Sequence, residues 1–144
     1  MSDSNRRREK PGEYGTQLIA VTVPGGSYTA SATTRFLVPA LGRTVKFSRL
    51  VGTHTVAPVS ATGTILAHAT KITGTNTRTV LSNPLDLEAI ANLKSGSAKN
   101  LSGLAAGTLV VKPGDGLEIE VVSTAAIGTQ ATAPLFTLEF FVLD

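Results

Sequence analysis

The sequence predicts an all-β domain, an antiparallel β-sandwich of the jelly-roll kind, and three observations carry that prediction. From Thr16 onward apolar residues recur at every second position. Gly, Pro and Asn clusters separate the runs. The long interruption between Leu81 and Thr108 favours Greek-key or jelly-roll crossing over a simple meander.

The elements follow in order. Gln17 to Val23 (QLIAVTV) reads as a strand closed by Pro24-Gly25-Gly26. Arg35 to Val38 and Thr44 to Val51 flank a turn at Pro39-Ala40-Leu41-Gly42, with Val45 and Phe47 on one side and Lys46 and Ser48 on the other. Thr62 to Thr73 alternates small and apolar residues until Gly74-Thr75-Asn76, and Arg78 to Leu81 is a short strand. Thr108 to Lys112 and Leu117 to Ser123 bracket Pro113-Gly114-Asp115-Gly116, where Pro fixes φ and Gly permits the positive φ of a tight turn. Leu117, Ile119 and Val121 share one face, Glu118 and Glu120 the other. Phe136 to Leu143 closes the sheet, so about seven or eight strands are expected.

One stretch departs from period two. Asn83 is a capping residue, Pro84 stands at a first helical position, and Asp86 and Glu88 complement a helix dipole, which predicts a short helix near 84–93. The connection that holds it ends in Lys94-Ser95-Gly96-Ser97. Residues 1–15 differ in kind. Arg6, Arg7, Arg8 and Lys10 crowd around Glu9, and Pro11-Gly12 follows. Such a segment buries too little apolar area to offset its ordering entropy, so it is expected to be a flexible basic arm before a single domain over 16–144. Docking on an acidic surface or on nucleic acid would give the arm a role; a solvated tail is the bland alternative.

Composition excludes more than it selects. The 144 residues fit one domain, and a chain of that size buries roughly 70% of its unfolded surface. Charged residues are 16% of the chain, against about 25% in an average soluble domain. A surface so poor in charge must be dressed in Thr, Ser and Gly or be partly hidden against other chains. With no Cys there is no disulfide, thiol nucleophile or Cys-ligated metal. A net charge of +3 is too small for coating nucleic acid. No secretory h-region and no membrane-length apolar run occurs, so a soluble product made in the cytoplasm is expected.

Chemistry-bearing patterns are sparse. His54 and His68 lack the spacing of a metal site, and His68 among Ala67, Ala69 and Thr70 reads as a hydrogen-bonded sheet histidine. No GxSxG elbow, Walker A loop or dinucleotide fingerprint is present. Glu118 and Glu120, at i and i+2 on a strand, stand roughly 7 Å apart, within the separation that inverting glycosidases use. Sugar sites stack rings on aromatics, however, and this chain has no Trp and two Tyr. Asp115 alone is far short of a calcium site, and Asn100-Leu101-Ser102 is a chance glycosylation match. No catalytic residue, cofactor or metal is expected, and the protein reads as structural rather than enzymatic.

Four features carry a resemblance. They are the Ala/Thr/Gly-rich alternation without Cys or Trp, the stretch from Leu104 to Asp115 in which an apolar strand runs into a Gly-Asp turn, the alternating Leu117 to Ser123 strand followed by the small-residue loop 124–133, and an apolar last strand. In these the chain resembles the jelly-roll decoration, or cement, proteins on the heads of tailed bacteriophages. The resemblance implies a virion protein on the outer surface of the capsid, bridging major capsid protein subunits as a homo-trimer or homo-dimer. It implies no small-molecule substrate, no membrane and no nucleic acid. The role of an arm reaching a neighbouring subunit falls on Arg6, Arg7, Arg8 and Lys10, although a basic arm is a departure from the family. A tail or fibre binding module and a self-assembling jelly-roll coat protein are the alternatives.

Overall fold

The computed structural model describes residues 17–105 and 107–143. Twelve strands run in chain order: β1 (Leu18–Pro24), β2 (Thr33–Val38), β3 (Val45–Thr53), β4 (Val59–Ser60), β5 (Ile65–Thr73), β6 (Thr77–Val80), β7 (Leu85–Asp86), β8 (Ser95–Lys99), β9 (Val110–Val111), β10 (Gly116–Ser123), β11 (Ile127–Thr129) and β12 (Leu135–Val142). Two five-stranded antiparallel sheets are laid down in the orders β1-β12-β3-β8 and β2-β10-β5-β6, with β9 added on β3 and β7 on β5, and β4 and β11 form a separate two-stranded antiparallel sheet. The pairs β1–β12, β2–β10, β3–β8 and β5–β6 are nested one inside the next along the chain. A nested series of this kind is a long hairpin wrapped over itself, which is the jelly roll the alternation and the long interruption predict.

The core lies between the sheets. Val23, Leu138, Phe140, Phe47 and Leu50 face it from one side, and Ile65, Ala67, Ala69, Ile119 and Val121 from the other. Phe36 stacks on Phe136 at 6.0 Å and meets Tyr28 edge-on at 6.1 Å, closing the space between β2 and β12. In β3 the pairing with β12 slips between Arg49↔Glu139 and Phe47↔Phe140, leaving Ser48 as an extra residue. That bulge lets Val45, Phe47 and Leu50 all point inward although strict alternation would turn Leu50 out.

The helix expected near 84–93 is instead the short strand β7 followed by a single 3-10 turn, Leu87–Ala89, capped by Asp86, whose carboxylate accepts from Glu88 N–H. Leu85, Leu87 and Ile90 are all buried. On an α-helix, at about 100° per residue, Leu85 and Leu87 would point roughly 200° apart, so one helical face could not bury the set. Extended backbone at Leu85, paired opposite Ala67, does. The expected end of this connection at Lys94–Ser97 is also different, since β8 begins at Ser95. Gly96 stands opposite Gly52 of β3, and the side chains of Leu85 and Ile90 lie over the pair. The strand expected at Thr108–Lys112 is reduced to β9, two residues long. The Pro113–Gly116 turn is as expected: Gly114 has φ +99, and the Asp115 carboxylate accepts from Lys112 N–H at 2.9 Å.

Candidate functional site

The two carboxylates singled out in the sequence, Glu118 and Glu120, lie on the outer face of the second sheet. Glu118 and Glu120 both project outward from β10, as their spacing requires, but arginine side chains cover them. Glu118 is 2% exposed, held by Arg78 Nε at 2.5 Å and Arg35 Nε at 3.2 Å. Glu120 accepts from Arg35 Nε at 3.0 Å and from the Thr70 hydroxyl at 3.0 Å. The hydrogen bond to Glu118 raises the pKa of Arg78, so the guanidinium stays charged. Charges thus balance across β2, β10 and β6, and both carboxylates are spent on the pairing. This arrangement ties β2, β10, β5 and β6 together, with the Glu118 carboxylate buried and that of Glu120 13% exposed.

The two histidines are far less alike than the sequence suggests. His54 is buried at the end of β3, and its Nε2–H donates to Ile90 O at 2.8 Å, tying β3 to the segment after β7. His68 sits opposite Glu120 on β5, and its Nδ1 is buried without a hydrogen-bond partner, against the expectation of a hydrogen-bonded sheet histidine. Among the described residues, no three His, Asp or Glu converge as a metal site requires. No helix among them is long and apolar enough to cross a membrane. Arg6, Arg7, Arg8 and Lys10 lie outside the described residues, as does all of the 1–15 arm.

Sequence reasoning missed Lys71. It lies in β5 on the same parity as Ala67 and Ala69 and therefore points into the sandwich, 8% exposed. Its ammonium donates to the carbonyls of Thr108 at 2.7 Å and Val110 at 2.9 Å, bridging the second sheet to the segment that leads into β9. The signal was a lone Lys at an inward-facing position of a strand.

The outer face of the first sheet has a different character. Strand registers place Thr22, Thr137, Val51 and Ser97 in one row across it, and Pro24, Leu135, Thr53 and Ser95 in the next. Neither row contains a charge. A third row, Ala20, Glu139, Arg49 and Lys99, carries the Arg49–Glu139 ion pair, with Nε to Oε1 at 2.6 Å. Hydrogen bonding to Glu139 raises the Arg49 pKa. The expected Thr-rich, sparsely charged face is therefore this one. At the side of the sandwich where β1 and β2 run as neighbouring edges, an open groove of about 470 Å³ is lined by Thr22, Val23, Pro24, Arg35, Phe36, Leu37 and Pro39. Leu37 at its rim is 75% exposed.

No family model matches this chain, and no curated protein matches it by sequence. Among solved structures, a chain of the capsid of Ralstonia phage GP4 is similar, with a TM-score of 0.54 and 12% identity over 90% of this chain and 86% of that one. A chain of the cyanophage Pam1 capsid asymmetric unit is similar with a TM-score of 0.53 and 14% identity, covering 94% of this chain and 92% of that one. At such identity the likeness is one of fold, and over nearly its whole length this chain has the β-sandwich fold of those two phage capsid chains.

Proposed function

We propose that this protein is a structural component of a phage virion: a decoration protein that binds the outside of the head and stabilises it by bridging major capsid subunits as a small oligomer. The observation that carries the reading is the fold shared over 90% and 94% of this chain with chains of two phage capsids. The uncharged rows of the first sheet support it, because a face of Thr, Ser and small apolar residues loses little on being covered by protein. In this reading the protein is not an enzyme, and the carboxylates Glu118 and Glu120 serve the sheet.

The mechanism is linkage. A protein that binds only the expanded shell stabilises it by RT times the logarithm of one plus free ligand over its dissociation constant. Because one oligomer spans several capsid subunits, each contact after the first forms at high effective concentration. The basic residues Arg6, Arg7, Arg8 and Lys10 add an electrostatic contact to the shell, screened by salt.

Co-sedimentation with purified phage heads tests this. Binding to expanded heads but not to unexpanded ones, with a raised melting temperature of the shell, is the expected result. Loss of residues 1–13 should weaken binding at low salt and matter less at high salt. Failure to bind either kind of head overturns the decoration role, and closed particles formed by the chain alone would make it a coat protein. Hydrolysis of a glycoside panel, abolished by Glu118→Gln with Glu120→Gln, would make it an enzyme.

A further inference from the structure

β1 ends its sheet, and among the described residues no strand pairs with its outer edge. The ladder itself tells which groups that edge offers. Val142 N–H donates to Gln17 O at 2.9 Å, and Gly25 N–H donates to Pro134 O at 2.9 Å. In an antiparallel ladder, residues that bond to the neighbour alternate with residues whose N–H and C=O point the other way. The register of β1 on β12 is unbroken from Leu18 to Pro24. Ile19, Val21 and Val23 therefore bond to β12, while Leu18, Ala20 and Thr22 turn their backbone groups to the open edge. Pro24 falls in the same outward phase, where the N–H it lacks is not needed by the sheet.

Exposed edges are commonly guarded by a charged side chain. Of the other strands that end the two four-strand orders, β2 has Arg35, β6 has Arg78 and β8 has Lys99; the two-residue β9, added on β3, has none. β1, with the sequence LIAVTVP, has none. Its inward-pointing Ile19 and Val21 are also only half-buried, whereas their partners Phe140 and Leu138 on β12 are fully buried. Of the four strands that end the two main orders, β1 is thus the one with no charge and with half-buried inward side chains.

We propose that β1 pairs antiparallel with β1 of a second copy, about a two-fold axis at Ala20, joining two sandwiches through one continuous sheet. In that register the outward-bonding residues meet one another: Leu18 faces Thr22 of the second copy, and Ala20 faces its own counterpart. Ile19 falls opposite Val21 of the second copy as a close non-hydrogen-bonded pair, the kind of β-branched contact that stabilises neighbouring strands. Within the β1–β1 ladder no like charges oppose each other, since β1 carries none, and Pro24 ends the ladder on both sides. An uncharged edge has nothing to select an acidic or basic partner, but it is complementary to itself. This inference does not depend on the phage-head reading, because a dimer in solution needs no shell.

Light scattering of the full chain over a range of concentrations, combined with hydrogen exchange of the β1 amides, tests it. The expected result is a dimer in which the amides of Leu18, Ala20 and Thr22 are protected and lose that protection on dilution. Ala20→Pro removes one outward N–H and spares the bonds of Ile19, Val21 and Val23 to β12, so a folded monomer is expected. Thr22→Lys introduces a charge into each copy's edge and should weaken the dimer by roughly tenfold or more; it also decides the matter if the proline variant fails to fold. A monomer at every concentration, a three-fold assembly, or a dimer that Thr22→Lys leaves unweakened overturns the proposal.

Discussion

Lys71 is a charged residue turned into the interior of a sandwich, and its surroundings explain how it is tolerated. Two carbonyl oxygens accept hydrogen bonds from its ammonium, and Lys71 lies at an inward-facing position of β5. Lys71→Met keeps the stem and strands both carbonyls. A hydrogen bond to a charged group contributes about 1.5–3 kcal/mol, so the substitution should cost about 2–3 kcal/mol, read as a lower urea midpoint at unchanged slope. Tyr28 presents the opposite case, a neutral phenol that burial keeps neutral by pushing its pKa well above the ordinary value. Below about pH 10 the phenol is protonated in both folded and unfolded chains and favours neither. As the pH rises further the unfolded phenol ionises while the folded one resists, so stability falls. Ultraviolet absorbance should show one tyrosine ionising only as the fold is lost, and Tyr28→Phe should flatten the alkaline decline. Glu118 shows how far a residue can be read from sequence alone. Its outward direction follows from alternation, yet its burial depends on Arg35 and Arg78, which lie 83 and 40 residues away along the chain (118 − 35 and 118 − 78).

At the scale of elements, the connection between β6 and β8 shows where local signals mislead. Pro84, Asp86 and Glu88 favour a helix start, but the need to bury Leu85, Leu87 and Ile90 in a thin space favours extended backbone, and the tertiary term is larger. The close approach is made possible by Gly52 and Gly96. A Cβ on Gly96 would come within 2.8 Å of Ile90 Cγ1 and 3.1 Å of its Cδ1. Gly96→Ala should therefore destabilise by about 1–3 kcal/mol through overpacking, visible in the melting temperature. Because the clash is with one side chain, Ile90→Ala should cost less in the Gly96→Ala background than alone. A double-mutant cycle in which the two effects simply add would place the strain elsewhere. The Ser48 bulge has a similar origin: alternation along Thr44–Val51 is plain in the sequence, but the one-residue slip that turns Leu50 inward is set by pairing with β12.

For the whole molecule the decisive feature is that the last strand is central. β12 lies between β1 and β3, and its Phe136, Leu138 and Phe140 are buried to 1% exposure or less. Removing residues 135–144 should leave a chain without sheet signal in far-ultraviolet circular dichroism, not a trimmed sandwich. Pairing Leu18 with Phe141 also means that the nested hairpins close over long loops, so folding should fall in the millisecond-to-second range of non-local β folds.

Period-two alternation determined by itself that this chain is all-β, placed its long strands, and assigned Glu118 and Glu120 to one face, because a strand's pleat forces neighbouring side chains to opposite sides. Tertiary structure alone decided that β8 starts at a serine-glycine pair, that 84–93 holds a two-residue strand and a 3-10 turn in place of a helix, that Lys71 is capped by carbonyls, and that β1 lies at an edge of its sheet. Each of those outcomes depends on which distant segment becomes a neighbour, and a physical contact between strands far apart in the chain leaves no mark on the local pattern of either one.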